Sequence, residues 1–530
     1  MKNKYGFIIG IFISILYFII HLAIINDYGV SWDYHYHLYA GLHHLGLPVP
    51  SVNDPSPVPF SSPDPRLSIN DPFGPFTQII PALSQVILFD KLRLFSLDSA
   101  YNFPMLIFGS LGVGILFIFV YETVGLTAAF ISSTFLALFP SYFAYLHNNM
   151  KDIPNAVFYT VSIYLFWRLV QYTNIKNLIF AVLAFAFAFN IKINSILIPF
   201  VCLIWFILSR FQDFLNIARK KNYLNSIKKK YLVFLYFIFG PIAAVLLWWP
   251  FWENPLGKLL ELPYFYSHNT LNMPVLLMGQ IFYSGVNIPW FYPFYYIGIT
   301  SPISILISFI VGLFVCFLNL RKKNFLYLLL VIWFFLPLVR YFNPKSGAID
   351  GIRHFMEIIF PMCFIAGIGA TFIYKKFVKN RKSKILASIV GLIILIFLIK
   401  NIIEFHPYQT SFFNYLIGGI KGAEGQVDID FWGTPQKSAM IWLNKNASID
   451  STIYVAMAQS SAGIYLRPDL LKKLNSQSIE NSDYIVILNR QSFYKADNLD
   501  FYIKNKEKEG KLVFTKSING VPLVRVFREK

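Results

Sequence analysis

Three short polar segments and one longer aromatic-rich one, set among apolar runs, carry residue types able to do chemistry. The first, Ser31-Trp32-Asp33-Tyr34-His35-Tyr36-His37, sets a carboxylate among aromatics and imidazoles a few residues after a long apolar run. A carboxylate close to low dielectric can serve as general base toward a hydroxyl. The plainer role for Asp33 is to cap a helix that starts near Tyr34, since Asp is a favoured N-cap. His35 and His37, with Asp33 and Asp152, are also donor types for a divalent metal, but an H-x-H spacing equally suits solvated loop imidazoles. The second segment, His147-Asn148-Asn149-Met150-Lys151-Asp152, holds a cation and an anion side by side, which as a bare pattern reads as a mutually neutralised turn. The third, Asp350-Gly351-Ile352-Arg353-His354, offers a guanidinium fork and a second donor suited to a phosphate at headgroup height. Its bland alternative is an Arg353 that anchors a helix end by pairing with Asp350 or with lipid. Lys192, alone between two apolar runs, is a further candidate for phosphate, with snorkelling as its ordinary role. The fourth segment, 251–300, is rich in aromatics, among them Trp290 and Tyr292, and fits an interfacial belt or a ligand platform. No P-loop, dinucleotide-binding glycine motif, nucleophile elbow or DNA-binding module is present.

The elements that must position these residues follow from composition. The 530 residues are 56% hydrophobic, 18% aromatic and only 14% charged, against about 25% charged in soluble domains. So much apolar surface cannot hide in one water-facing globule, and lipid must be the solvent for much of the chain. Runs long enough to cross about 30 Å of hydrocarbon fall at 5–26, 102–121, 123–144, 153–172, 175–190, 193–209, 232–250, 301–320, 325–342, 357–374 and 384–404. The first is too long for a signal-peptide core and lacks a cleavage site, so it reads as a retained anchor.

The formal charge of +19 is then a question of sidedness before it is one of nucleic acid. Reading 175–209 as two spans rather than one puts the basic loop 210–231 on the same side as the N-terminus, Arg321-Lys322-Lys323 and the 375–384 cluster. That is the cytoplasmic side by the positive-inside rule. Every histidine except His21, and nearly all acids before residue 405, then face outward. Cys202, Cys316 and Cys363 lie in apolar runs and form no metal or disulfide pattern.

The first outer loop, 27–101, is dense in proline between Pro48 and Pro75, and its apolar stretch 76–89 suits a helix lying in the interface. From residue 405 the composition turns polar. The expected organisation is a membrane domain at 1–404 and a small extracytoplasmic α/β domain at 405–530. The latter should have a helix near 435–445, strands at 452–457 and 484–488, and a hairpin from 511–515 and 522–527.

Together these motifs resemble glycosyltransferase family 39, the dolichyl- or polyprenyl-phosphate-sugar dependent transferases of the C-type membrane fold. The resemblance rests on Ser31-Trp32-Asp33, His147 through Pro154, Asp350 through Phe355, and His406-Pro407-Tyr408-Gln409 through Asp430-Phe431-Trp432-Gly433. The last two mark a prokaryotic branch with a polar tail. The resemblance implies a polytopic α-helical fold of about eleven spans and a polyprenyl-phosphate-sugar donor. It assigns Asp33 as general base and Asp152 as a second functional acid. Arg353, His354, Lys192 and Lys151 would hold the donor phosphate, and His35, His37, Asp350, Trp290 and Tyr292 would line the acceptor or sugar pocket. Reaction would be a single inverting displacement on the extracytoplasmic face of the plasma or inner membrane.

No cofactor is fixed by this reading and a divalent metal is left open. The chain departs from the eukaryotic protein mannosyltransferases in having Asp33-Tyr34 where they carry Asp-Glu, and in lacking their β-trefoil insert, which leaves protein, lipid and glycan as acceptors. Nucleic acid is not an expected partner. The competing class is a transporter or lipid flippase, which would place charges at the bilayer midplane or show repeated halves.

Overall fold

The computed structural model describes residues 2–49, 73–219, 231–252, 254–267, 272–320, 324–495 and 498–529. The proline-dense stretch 50–72 and the basic runs at 220–230 and 321–323 lie outside the described residues. Among the described residues, seven helices are long and apolar enough to cross a membrane: Lys4–Ala23, Leu97–Thr123, Asp152–Gln171, Ile303–Leu320, Phe325–Phe342, Gly351–Phe377 and Arg381–Glu404. Four shorter apolar helices, Leu126–Ala137, Ile175–Phe189, Ile193–Ser209 and Tyr231–Leu247, complete the series. Each matches one of the apolar runs expected from sequence. The chain is a polytopic helical membrane protein.

Local chemistry explains several boundaries. Asn174 accepts a hydrogen bond from the Asn177 N–H to cap the helix from Ile175. Asn380 and Ser383 form a reciprocal capping box ahead of Arg381–Glu404. The break expected inside 175–209 is real. The first helix ends at Phe189, a turn carries Asn190 to Lys192, and the chain re-enters through a short 3-10 turn.

Helices in lipid gain nothing from excluding water between them, so close backbone approach matters more. A Cβ on Gly369 would lie 2.0 Å from the Ser308 carbonyl oxygen, so only glycine lets 303–320 and 359–377 meet.

Between the first two long apolar helices, α1 (Lys4–Ala23) and α4 (Leu97–Thr123), the chain forms α2 (Tyr34–His44) and α3 (Pro75–Gln85), which pack together beside α4. α3, extended by a wider turn to Lys91, is helical where the apolar stretch 76–89 was expected to be. Gly74 is its hinge point against the 190 turn, since a Cβ there would sit 1.8 Å from the Asn190 carbonyl oxygen. A small hairpin, β1 (Pro274–Leu277) and β2 (Gln280–Tyr283), lies in the aromatic-rich segment 251–300.

The polar tail holds a helix at Gln436–Asn446 and strands β3 (Ile453–Val455), β4 (Tyr484–Leu488), β5 (Leu512–Ile518) and β6 (Val521–Arg528). They form one mixed sheet in the order β3-β4-β6-β5, with β3 parallel to β4 and the other pairs antiparallel. All of β4 is buried because both faces are covered. Tyr484 and Val486 face the helix at 436–446, while Ile485 and Ile487 face Leu499 and Ile503 of a helix at Leu499–Lys508.

The tail is seated on the membrane helices without a gap. The main apolar core runs from the spans through Phe405, Phe412 and Trp432 to Val521 and Leu523. Polar ties reinforce it: Lys437 Nζ donates to the Asn26 and Tyr28 carbonyls and to Asp98 Oδ2 at 2.7–3.0 Å.

Candidate active site

Residues far apart in sequence converge at the ends of the apolar helices. Asp33 immediately precedes α2, yet its carboxylate makes no cap bond to that helix. The capping role is therefore not the one it plays. Its Oδ2 instead accepts a hydrogen bond from Lys151 Nζ at 2.7 Å and lies 3.7 Å from Arg353. His37, one turn further along α2, stands on the same helix face, with Nε2 at 3.4 Å from the same ammonium.

The 147–152 turn aims two opposite charges in different directions. Asn149 Oδ1 accepts from the backbone N–H groups of Lys151 and Asp152 (3.2 and 2.7 Å), and its amide donates to Asp152 Oδ2. Lys151 and Asp152 do not neutralise each other, contrary to the simple turn reading. Lys151 serves Asp33, while Asp152 pairs with Lys192 Nζ at 2.5 Å and with Arg353 at 3.7 Å. Lys192 is held there because the turn that carries it bridges to Phe73 ahead of α3.

Arg353 is the hub. Its guanidinium reaches Asp33, Asp152 and, at 2.5 Å, Asp350, and it stacks over the Trp432 ring at 4.5 Å. The expected pairing with Asp350 is present, and the same guanidinium also faces Asp33 and Asp152. Asp350 has φ +55, a left-handed conformation stabilised by the adjoining Gly351, whose N–H donates to Tyr292 Oη. His354 Nε2 lies 3.2 Å from Arg353, and its carbonyl accepts from Arg340 and Tyr341.

Exposure separates the three carboxylates. The Asp33 side chain is 35% exposed, whereas those of Asp152 and Asp350 are 2% and 4% exposed. Burial would raise Asp33, but Lys151 and Arg353 outweigh it and hold the carboxyl well below the usual carboxylate range. His37 is pulled down to about 3 by burial and the neighbouring Lys151, so its ring is neutral. Burial also lowers Lys192, against the pull of Asp152. Arg353 Nε and His37 Nδ1 are each buried with no hydrogen-bond partner among the described residues.

Not every expected site residue joins the cluster. His35 packs its ring against Tyr34 and Tyr39. Trp290 is 58% exposed and touches Phe291, Phe294 and Phe342. Tyr292 is buried and supports the Asp350–Gly351 turn from below. For a metal the donors do not fit: the Lys151 ammonium fills the space between Asp33 and His37, and no group of three or more His, Cys, Asp or Glu among the described residues is arranged around a common point.

Two contributors from the tail escaped the sequence reading. Trp432 lies under Arg353, and its carbonyl accepts from the Trp32 N–H at 3.0 Å, next to Asp33. Arg490 donates to Asp350 Oδ1 at 2.8 Å. The Asp430-Phe431-Trp432-Gly433 motif marked the region of the first. For Arg490 the only signal was a charged residue just past the end of a buried strand.

Residues 86–248 match the family model of dolichyl-phosphate-mannose-protein mannosyltransferases. No curated protein matches the chain in sequence. Among solved structures, the chain is similar to apo ArnT from Cupriavidus metallidurans, with a TM-score of 0.50 and 12% identity over 97% of both chains. ArnT from the same organism bound to undecaprenyl phosphate matches at TM-score 0.47 and 11% identity, over 98% of this chain and 97% of that one. The oligosaccharyltransferase AglB from Archaeoglobus fulgidus, with an inhibitory peptide and a dolichol-phosphate, matches at TM-score 0.48 and 12% identity, over 92% of this chain and 69% of that one. The fold is the C-type membrane fold implied by the motifs.

Proposed function

We propose that this chain is a membrane glycosyltransferase that moves a sugar from a polyprenyl-phosphate carrier to an acceptor hydroxyl on the extracytoplasmic face. The observation that carries this reading is the contrast within the cluster: one partly exposed carboxylate, Asp33, stands beside a buried group of cations, Lys151, Arg353 and Lys192. The family match over 86–248 and the fold support the same chemistry.

In the proposed reaction the acceptor hydroxyl attacks the anomeric carbon and gives its proton to Asp33. The bond from that carbon to the phosphate oxygen breaks, and the lipid phosphate leaves with its charge held by Lys151, Arg353 and Lys192, with His354 alongside. One displacement inverts the anomeric centre. Asp33 is a weak base while two cations pair with it. A donor phosphate docking on Lys151 and Arg353 draws them away and raises its basicity as the reactants assemble.

Asp152 acts in this reading by orienting Lys192 and Arg353, too buried to meet an acceptor. His37 and Asp350 border the sugar site from opposite sides. Tyr292 bears on it through Asp350, while His35 and Trp290 belong to the surrounding outer helices. We assign 1–404 as the transferase domain and 405–530 as an outer domain, with the N-terminus cytoplasmic in a plasma or inner membrane. Protein, lipid and glycan acceptors are all compatible. The charged groups lie at helix ends with none at mid-span in the cluster, which gives a transporter reading no support.

The test is transfer by purified full-length protein from radiolabelled polyprenyl-phosphate sugars into membrane extract. Asp33→Asn should lose about 10²–10⁴-fold in rate while the variant remains folded. Near-normal transfer by that variant would sink the base assignment, and no transfer from any donor by the wild type would sink the function.

A further inference from the structure

Arg490 lies near the other end of the chain from Asp33, yet its side chain is 5% exposed and directed into the membrane-side cluster. It is firmly placed. NH1 donates to the Phe431 carbonyl at 2.8 Å, NH2 donates to Asp350 Oδ1 at 2.8 Å, and the guanidinium packs over Phe493 at 4.4 Å and Trp32 at 5.3 Å. Asp350 divides its oxygens between two guanidiniums, Oδ1 to Arg490 and Oδ2 to Arg353.

The division has a consequence for Arg353. A buried carboxylate needs its charge answered on both oxygens. Without Arg490, Asp350 would draw the Arg353 fork into a two-point pairing and turn it from Asp33 and Asp152, each now 3.7 Å away. The Trp32 ring, next to Asp33, rests on the same guanidinium, so Arg490 braces both sides of the site.

We propose that Arg490 is a positioning residue through which the polar tail sets the donor-phosphate site, by occupying Asp350 so that Arg353 remains aimed at the lipid phosphate. This rests on the transferase reading above. It makes the tail part of the membrane site.

The experiment uses full-length protein in nanodiscs, with undecaprenyl phosphate binding and donor KM and kcat as readouts. Arg490→Gln should weaken binding and raise donor KM by about tenfold or more, in the range of coupled buried charges. Arg490→Lys, which keeps a charge but not the planar fork, should fall between it and the wild type. The decisive variant is Arg490→Gln with Asp350→Asn. Removing the carboxylate that would capture Arg353 should restore binding to within about threefold of wild type. A purely structural Arg490 would instead make the double variant as poor as the single one, and that result overturns the proposal. So does an Arg490→Gln protein that binds like wild type while wild type binds well. A wild type that binds no polyprenyl phosphate removes the donor reading and this inference together, and so is told apart from the other two outcomes.

Discussion

Removing Lys192 should expose how the cluster is held together. Lys192 Nζ is 2.5 Å from Asp152 Oδ1, with both side chains buried, and Arg353 stands 3.7 Å from the other oxygen. At an effective dielectric near 20, two unit charges attract by about 7 kcal/mol at the first distance and about 4 kcal/mol at the second. Of the attraction these two cations give the Asp152 anion, Lys192 therefore supplies roughly three-fifths. Removing one partner of a buried pair costs about 3–5 kcal/mol when nothing replaces it. With Arg353 and the Asn149 amide still in place, Lys192→Met should cost about 2–3 kcal/mol. Lys192→Met with Asp152→Asn removes both charges of the pair together and should cost less than about 1.5 kcal/mol. The assay is a double-mutant cycle on reversible denaturant unfolding of the full chain in mixed micelles. A Lys192→Met cost below about 1 kcal/mol, or a double variant as unstable as the single ones, would refute the claim that this pair is a buried, mutually dependent charge site.

Two further predictions concern the frame around the cluster. Gly74→Ala forces its new methyl into the Asn190 backbone, so the 190 turn must move and carry Lys192 with it. We expect a loss of about 1–3 kcal/mol and a raised donor KM, and a wild-type unfolding midpoint would contradict the close approach. Asp430, buried in the tail with one oxygen on the Trp432 and Gly433 N–H groups, has its carboxyl pushed up to about 6, chiefly by burial. Because the folded carboxyl then binds its proton more tightly than the unfolded one near 3.9, stability falls as pH rises from about 4 to about 6, by about 2–3 kcal/mol. Asp430→Asn should lack that fall and be more stable than wild type at pH 7. Unfolding curves at pH 4.5 and 7 check this, and a wild-type-to-variant difference independent of pH would contradict it.

Much of the architecture was legible because lipid imposes a simple length rule. The runs that became helices are long, apolar and bounded by caps or turns, and the positive-inside bias was enough to split 175–209 into two helices at Lys192. The tail strands were legible as well: Tyr484–Leu488 is a continuous apolar run and was placed to the residue. The candidate site was legible as a set of segments, since Asp33, Lys151, Asp152, Lys192 and Arg353 stand out as charges at the ends of apolar runs. Their pairing was not. Adjacent Lys151 and Asp152 suggested each other, yet Asn149 turns them apart, and each finds its partner more than a hundred or about forty residues away.

What the sequence by itself determined is where this chain must meet lipid and which few charges sit at that boundary. Apolar length and charge sidedness act locally along the chain and can be read one segment at a time. Only the tertiary structure decided which carboxylate stays partly exposed and which cations it faces. It also brought Arg490 and Trp432 from the tail into the membrane site. Those outcomes depend on burial and on distances of a few ångströms between segments far apart in sequence. Electrostatic energy at low dielectric varies steeply over such distances, and no local pattern encodes them.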